Sequence, residues 1–164
     1  QHIFTSLIKL KESININNVK VIIIGSGTYL EDCKQLVSKL DLTNNVIFLG
    51  RVSPKEVIDY ISIFHICLAP FTKSDYEAKG SSALKILEYL YCNKLVITID
   101  VDEYKFIEEE GFGWLYEIDD LDDLSKKISV GLKSSLKIDS KDYVLNHFSK
   151  EKVFSKYLKI IKNN

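Results

Sequence analysis

The stretch Gly80-Ser81-Ser82-Ala83-Leu84-Lys85-Ile86-Leu87-Glu88-Tyr89-Leu90 holds the residues whose types and spacing are best suited to chemistry. A Gly-Ser-Ser lead-in leaves backbone N–H groups free at a helix N-terminus, and such groups bind anions, a diphosphate among them. Ser81, Lys85 and Glu88 fall at i, i+4 and i+7 and so share one helical face. The helix start lies roughly 10 Å from Glu88 at about 1.5 Å per residue. A nucleotide along that face would set its phosphates near the amides and its ribose hydroxyls near the Glu88 carboxylate, a good acceptor for two vicinal hydroxyls. The competing reading is a ligand-free surface ion pair, Lys85–Glu88 at i, i+3, which would stabilise the helix by only about 0.2–0.5 kcal/mol. The order of charges, lysine first, opposes the helix dipole and counts against that pair.

Other candidates carry less. Gly25-Ser26-Gly27 could approach a ligand closely or simply turn the chain at a strand end, and G-x-G without a third glycine is a weak dinucleotide signal. Arg51 could reach a base or phosphate, or be a solvated arginine. Lys73 and Lys79 flank the phosphate site in a polar loop, 71–80, where they would add charge or stay solvated. His65 opens a strand and reads as structural. No nucleophile–base set and no metal-ligand spacing occurs, so neither a metal nor a cofactor is expected.

The elements that must position these residues alternate between strand and helix. Val19–Gly25 is apolar and β-branched, the pattern of a strand buried on both faces. A helical stripe follows over 29–40, then a strand at 46–50. Ser53-Pro54-Lys55-Glu56 is a helix start, with Ser53 as cap, Pro54 first in the helix and Glu56 completing a capping box. Ile66–Ala69 is a strand ended by Pro70. A helix over about 82–91, a strand at Leu95–Ile99, a short helix at 103–110 and a short strand after Gly111 come next. A helix opened by Asp119-Asp120 and two more, near 140–147 and 150–162, close the chain. Such alternation predicts a parallel sheet with helices on both faces and ligands beyond the strands' C-terminal ends. The loops of interest are then 25–28, 50–53, 70–82 and 100–103. A helix-like stretch, Ile3–Lys11, comes first, which implies a missing strand and turn before it.

At 164 residues the chain fits a single domain. Its net charge of −1 excludes bulk attraction to nucleic acid. No run of about 18–20 apolar residues forms a membrane span. The three cysteines, Cys33, Cys67 and Cys92, read as free thiols in a reducing compartment. A chain that holds no methionine and begins at Gln1 reads as a fragment or processed domain.

Ser82-Ala83-Leu84-Lys85-Ile86-Leu87-Glu88-Tyr89-Leu90, followed by Asn93-Lys94-Leu95-Val96-Ile97, resembles the S-P-L-K-x-x-E-Y signature of family-four (group 1) retaining glycosyltransferases. Val21–Gly27, Val46–Val52, Leu68-Ala69-Pro70, Glu110–Leu115 and Phe148–Val153 with Tyr157 resemble further segments of that family in the same order. The resemblance implies the C-terminal half, 1–164, of an enzyme with two Rossmann-like domains: a three-layer α/β/α sandwich with a mostly parallel sheet and C-terminal helices. It implies a UDP- or GDP-sugar donor as substrate and an acceptor held by an N-terminal domain of the same protein. It implies transfer with retention, inactivity of the isolated half, and a cytoplasmic setting, peripheral at the inner membrane face, in polysaccharide or glycolipid synthesis. Glu88 then contacts ribose, with Arg51, Gly25 and Gly27 on the nucleotide side; Gly80, Ser81, Ser82 and Lys85 hold the diphosphate. The family's first glutamate falls at Gly80, so Asp75 or Glu77, with Lys79, forms the donor-sugar loop. Its usual basic pair would precede Gln1. Asn93 stands at a turn-glycine position, Leu95 at a proline and His65 at an aspartate. The alternative function is a non-catalytic, degenerate nucleotide-binding or protein-interaction module of the same fold.

Overall fold

The short β-branched runs become strands and the amphipathic runs between them become helices. The computed structural model describes residues 2–11, 13–79 and 84–152. From α1 (His2–Leu10) a 3-10 turn at Ile16–Asn18 leads into β1 (Val21–Ile24), α2 (Leu30–Lys39), β2 (Val46–Gly50), α3 (Pro54–Ile63) and β3 (Ile66–Ala69). Next come α4 (Lys73–Lys79), α5 (Leu84–Tyr91), β4 (Leu95–Ile99), a 3-10 turn at Asp102–Tyr104 and α6 (Phe106–Glu109). Then follow β5 (Gly113–Tyr116), α7 (Leu121–Lys133) and α8 (Lys141–Phe148). Every strand pair is parallel. The class is Rossmann-like α/β with C-terminal helices, as expected.

Two expectations need correction. The polar loop at 71–80 contains a helix, α4. Among the described residues the strands pair in two parts, β1 with β2 and β3-β4-β5, rather than in one sheet. That break explains a third difference. β1, read as buried on both faces, is only partly buried at each of its four residues, whereas β4, with a strand on either side, is buried throughout. The expected closing helix near 150–162 lies mostly outside the described residues.

Packing centres on β4. Ile86 and Leu90 of α5 and Leu124 and Ile128 of α7 join Val96, Ile97 and Ile99 in the core. Gly131 lets α7 approach the sheet: a Cβ there would sit 3.2–3.3 Å from Ile66, Ile97 and Trp114. Cys33, Cys67 and Cys92 are free, and burial pushes the Cys67 thiol up to about 12.

Capping decides where the helices start and stop. Around Ser53 both expected bonds form: Glu56 N–H donates to Ser53 Oγ at 3.3 Å and Ser53 N–H to Glu56 Oε2 at 2.8 Å. Helices α2, α5 and α6 each end on a left-handed residue, Asp41 (φ 53°), Asn93 (φ 54°) and Gly111 (φ 70°). In each, the next N–H reaches back into the last turn: Leu42 to Val37 O, Lys94 to Tyr89 O, Phe112 to Ile107 O. Asn93 thus fills the turn-glycine role, and it does more. Its Oδ1 accepts the Ser140 and Lys141 N–H groups at 2.9 Å, tying the end of α5 to the start of α8. Asn93→Ala is therefore expected to cost about 1–3 kcal/mol, from the partly buried Ser140 N–H left unpaired, the exposed Lys141 bond lost and a strained φ. Asn93→Gly keeps the φ and is expected to cost less. The order of the two urea midpoints checks this.

Candidate functional site

The site is built outward from the end of β3. Thr98 Oγ donates to Ala69 O at 2.8 Å within the core, fixing the last strand residue before Pro70 and Phe71. Thr72 then opens α4: its Oγ accepts the Asp75 N–H at 3.0 Å and donates to Asp75 Oδ2 at 2.8 Å. Distant residues hold α4 in place. The Asp119 carboxylate, just past β5, accepts the Lys73 N–H at 3.3 and 3.4 Å. The Tyr76 hydroxyl donates to the Glu103 carboxylate at 3.0 Å, and that bond raises the phenol's pKa.

On α5, Ile86 and Leu90 point into the core, which leaves Lys85 half-buried and Glu88 exposed. The Lys85 ammonium stands over the Phe71 ring, 4.2 Å from its centroid. Phe71 in turn stacks with Tyr104, centroids 6.4 Å apart. Burial holds the ammonium's pKa below its ordinary value. Lys85 and Glu88 do not form the i, i+3 ion pair of the competing sequence reading. Among the described residues neither has an oppositely charged partner within salt-bridge distance. A cation–π contact is worth about 0.5–2 kcal/mol and leaves the positive charge unneutralised. An unneutralised, partly desolvated cation beside a loop is a chemical reason for an anion to bind.

The other candidates sit at the ends of β1 and β2. Gly25 (φ 129°) donates its N–H to Gly50 O at 2.7 Å, so the loops after these strands run side by side and bring Gly25 next to Arg51. A Cβ at Gly25 or Gly27 would meet nothing within 4 Å. The glycine at 25 thus serves a backbone conformation, and the space beside it is open. Arg51 is exposed, as are Ser26 to Tyr29. These loops leave the C-terminal edge of the β1–β2 pair, as the segment leading to α4 leaves the C-terminal end of β3. The chain steps from β1 to β2, then crosses over and proceeds through β3, β4 and β5. Open α/β sheets bind ligands beyond the C-terminal ends of their strands.

The sequence-read residues are thus partly assembled. Glu88 and Lys85 lie one turn apart on α5; Gly25, Gly27 and Arg51 lie on neighbouring loops. Asp75 is engaged by Thr72, while Glu77 is exposed. Gly80, Ser81, Ser82 and the Lys79 side chain lie outside the described residues. Exposed His65 precedes β3. Two contributors were missed. Phe71, which holds Lys85, has no local signal. Thr72 had one: Thr72-Lys73-Ser74-Asp75 follows the capping-box pattern and marks the start of α4. Among the described residues there is no group of three or more His, Cys, Asp or Glu placed to hold a metal ion, and no helix is long and apolar enough to cross a membrane.

The sequence profile of the family described as glycosyl transferases group 1 matches residues 1–144. No curated protein matches the chain. Among solved structures, a point mutant of S. aureus TarM in complex with fondaparinux, alpha-GlcNAc-glycerol and UDP is similar at TM-score 0.73 and 19% identity, covering 94% of this chain and 32% of that one. Anabaena Alr3699/HepE in complex with UDP and glucose is similar at TM-score 0.73 and 18% identity, covering 98% and 44%. The lipopolysaccharide outer core galactosyltransferase WaaB, in its apo form, is similar at TM-score 0.70 and 19% identity, covering 97% and 44%. The chain thus spans 32–44% of the length of these structures, and at these identities the likeness is one of fold.

Proposed function

The chain belongs to the glycosyl transferases group 1 family, of whose fold it forms a Rossmann-like half, and on that premise we propose that it holds the nucleotide diphosphate of an activated sugar. The observation that carries the reading is α5 itself: a half-buried ammonium with no carboxylate partner among the described residues, one turn before an exposed carboxylate. In this reading Glu88 accepts the ribose hydroxyls, while Lys85 and the amides of Gly80, Ser81 and Ser82 meet the diphosphate. Arg51 and the Gly25–Gly27 loop line the nucleotide side. Glu77, Lys79 and, if released by Thr72, Asp75 face the donor sugar. The presence of UDP in the TarM and HepE structures supports UDP as the first nucleotide to test, with GDP the alternative.

The chemistry proposed is retaining transfer of the sugar to an acceptor held by a second, N-terminal domain. The residues of this half would stabilise the departing diphosphate, which is the main electrostatic demand of such a reaction. The isolated chain is then a binding half and turns over no donor. The setting that fits is cytoplasmic, at a membrane face, in polysaccharide or glycolipid synthesis.

Titration calorimetry tests this reading. UDP or GDP is expected to bind the chain at least about tenfold more tightly than the matching nucleoside, one charge-assisted contact being worth about 1.5–3 kcal/mol. Lys85→Met is expected to close most of that gap. Equal affinity for nucleoside and diphosphate would refute the assignment. The pH dependence has a definite sign. A bound diphosphate favours the charged amine and raises the Lys85 pKa, which burial has lowered. Once the diphosphate is fully ionised, affinity therefore falls as pH rises through the free-state Lys85 pKa, and falls less in Lys85→Met. A protein-interaction module is the second reading, supported by the glycine at 80 where the family resemblance places a glutamate. It predicts no binding of any nucleotide at millimolar concentration.

A further inference from the structure

We propose that Asp119, in the turn between β5 and α7, is a positioning residue that aims the Lys85 ammonium at the diphosphate, a role that rests on the nucleotide reading of α5. Asp119 stands third in the turn 117–120, which the Asp120 N–H closes on Glu117 O at 3.0 Å, and its φ is 64°. That place in a turn favours glycine or asparagine, which adopt a positive φ most readily. Among the described residues two other side chains hold such a φ, Asp41 and Asn93, and each ends a helix. Asp119 ends none. What glycine would lack there is the carboxylate. Backbone strain of this kind persists where other contacts hold it, and it clusters at ligand sites.

The carboxylate joins three segments. It accepts the Lys73 N–H at 3.3 and 3.4 Å, and His2 Nε2 of α1 stands 3.9 Å from its Oδ1. Lys73 is the first residue of α4, so its N–H has no partner inside the helix. Thr72 already caps α4 through the Asp75 N–H, so Asp119 is not needed to begin the helix. It fixes where that helix begins relative to β5. Upstream, the Thr98 hydroxyl holds Ala69 O at 2.8 Å. The short segment between is therefore tied at both ends, to β4 through Ala69 and to the β5–α7 turn through Lys73. Phe71 lies inside it, its ring stacked on Tyr104 and 4.2 Å from the Lys85 ammonium. Tyr116 shows that these groups meet. Burial pushes its hydroxyl up to about 12, and the next two groups to act on it are the Phe71 backbone, which lowers it, and Asp119, which raises it. Without the carboxylate, the Phe71 ring loses one of its two tethers, and the ammonium loses the support that aims it.

The test compares the parent chain with Asp119→Gly and Asp119→Asn. Three quantities are read: the NMR signal of the Lys85 ε-methylene protons, the melting temperature, and the affinities for UDP, GDP and their nucleosides. Protons held over an aromatic face resonate upfield of those on an exposed lysine such as Lys55. Asp119→Gly is expected to move the Lys85 signal toward that of Lys55. It should also weaken the diphosphate by about three- to tenfold, with nucleoside binding unchanged. Its melting temperature should stay close to the parent's, because relief of the φ offsets glycine's greater freedom in the unfolded chain. Asp119→Asn keeps an acceptor oxygen and tolerates the φ, so it should restore the Lys85 signal and at least the parent's affinity. The sign of the change separates aim from charge, since removing a carboxylate by itself strengthens anion binding. Three results overturn the proposal: a Lys85 signal unmoved in Asp119→Gly, a gain of diphosphate affinity in that variant, or an Asp119→Asn chain as impaired as Asp119→Gly. A parent chain that binds neither nucleotide refutes the nucleotide reading instead, and the Lys85 signal still decides whether Asp119 places the ammonium.

Discussion

Gly113→Ala is expected to leave little or no folded protein. Gly113 opens β5 directly beside the central strand, and a Cβ built on it lies 1.8 Å from the Val96 carbonyl oxygen and 2.8 Å from the Val96 carbonyl carbon and nitrogen. Those are backbone atoms of β4, which is buried along its whole length, so no side chain can swing aside. Relief would require parting β4 from β5 and breaking bonds such as Val96 N–H to Phe112 O, 3.0 Å. A cost above about 4 kcal/mol follows, against a total stability of roughly 5–15 kcal/mol for a domain. The neighbouring glycine is the control. Gly111 has φ 70° and open space where its Cβ would be. Gly111→Ala is expected to cost about 1 kcal/mol, from backbone strain alone. Circular dichroism melts of the two variants separate these outcomes. A Gly113→Ala protein within about 1 kcal/mol of the parent would mean that β5 does not approach β4 so closely.

The largest functional effect is expected at Glu88. If its carboxylate accepts the ribose hydroxyls, Glu88→Ala removes bonds to a charged acceptor worth about 1.5–3 kcal/mol, or about tenfold to hundredfold in affinity for the nucleoside diphosphate. Because Glu88 is exposed and outside the core, folding should be untouched, and the melting temperature reports that. The hydroxyls themselves supply the discriminating measurement. A 2′,3′-dideoxynucleoside diphosphate should bind parent and Glu88→Ala equally, since the partner of Glu88 is gone in both. A double-mutant cycle that gives no coupling between the carboxylate and the hydroxyls would remove Glu88 from the site whatever the single variant did.

Where one residue's local signal was enough, the sequence was readable. Ser53, Pro54 and Glu56 announce α3 because all three capping partners lie within one turn. Asn93 could be placed at a helix end because few other side chains tolerate its φ. The helix stripe of α5 puts Lys85 and Glu88 together through spacing alone. The rest depends on contacts that only folding creates. α4 resisted reading because its polar stretch has no apolar period, and two of its anchors, Asp119 and Glu103, lie 46 and 27 residues away. The Phe71 ring beneath Lys85 comes from the segment between β3 and α4, so the contest between ion pair and free ammonium could not be decided from spacing. Val21-Ile22-Ile23-Ile24 reads as doubly buried because composition reports the sheet a strand is suited to, and the described structure gives β1 a neighbour on one side only.

The central claim is that one helix presents a cation and a carboxylate to the same nucleotide. Its most direct test is an amide NMR titration of the isotope-labelled chain with UDP and, separately, GDP. One of them is expected to shift the amides of Leu84 to Glu88 together with those of Gly25 to Gly27 and Arg51, saturably and in fast exchange. Shifts confined to residues away from α5, or none with either nucleotide at millimolar concentration, would contradict it.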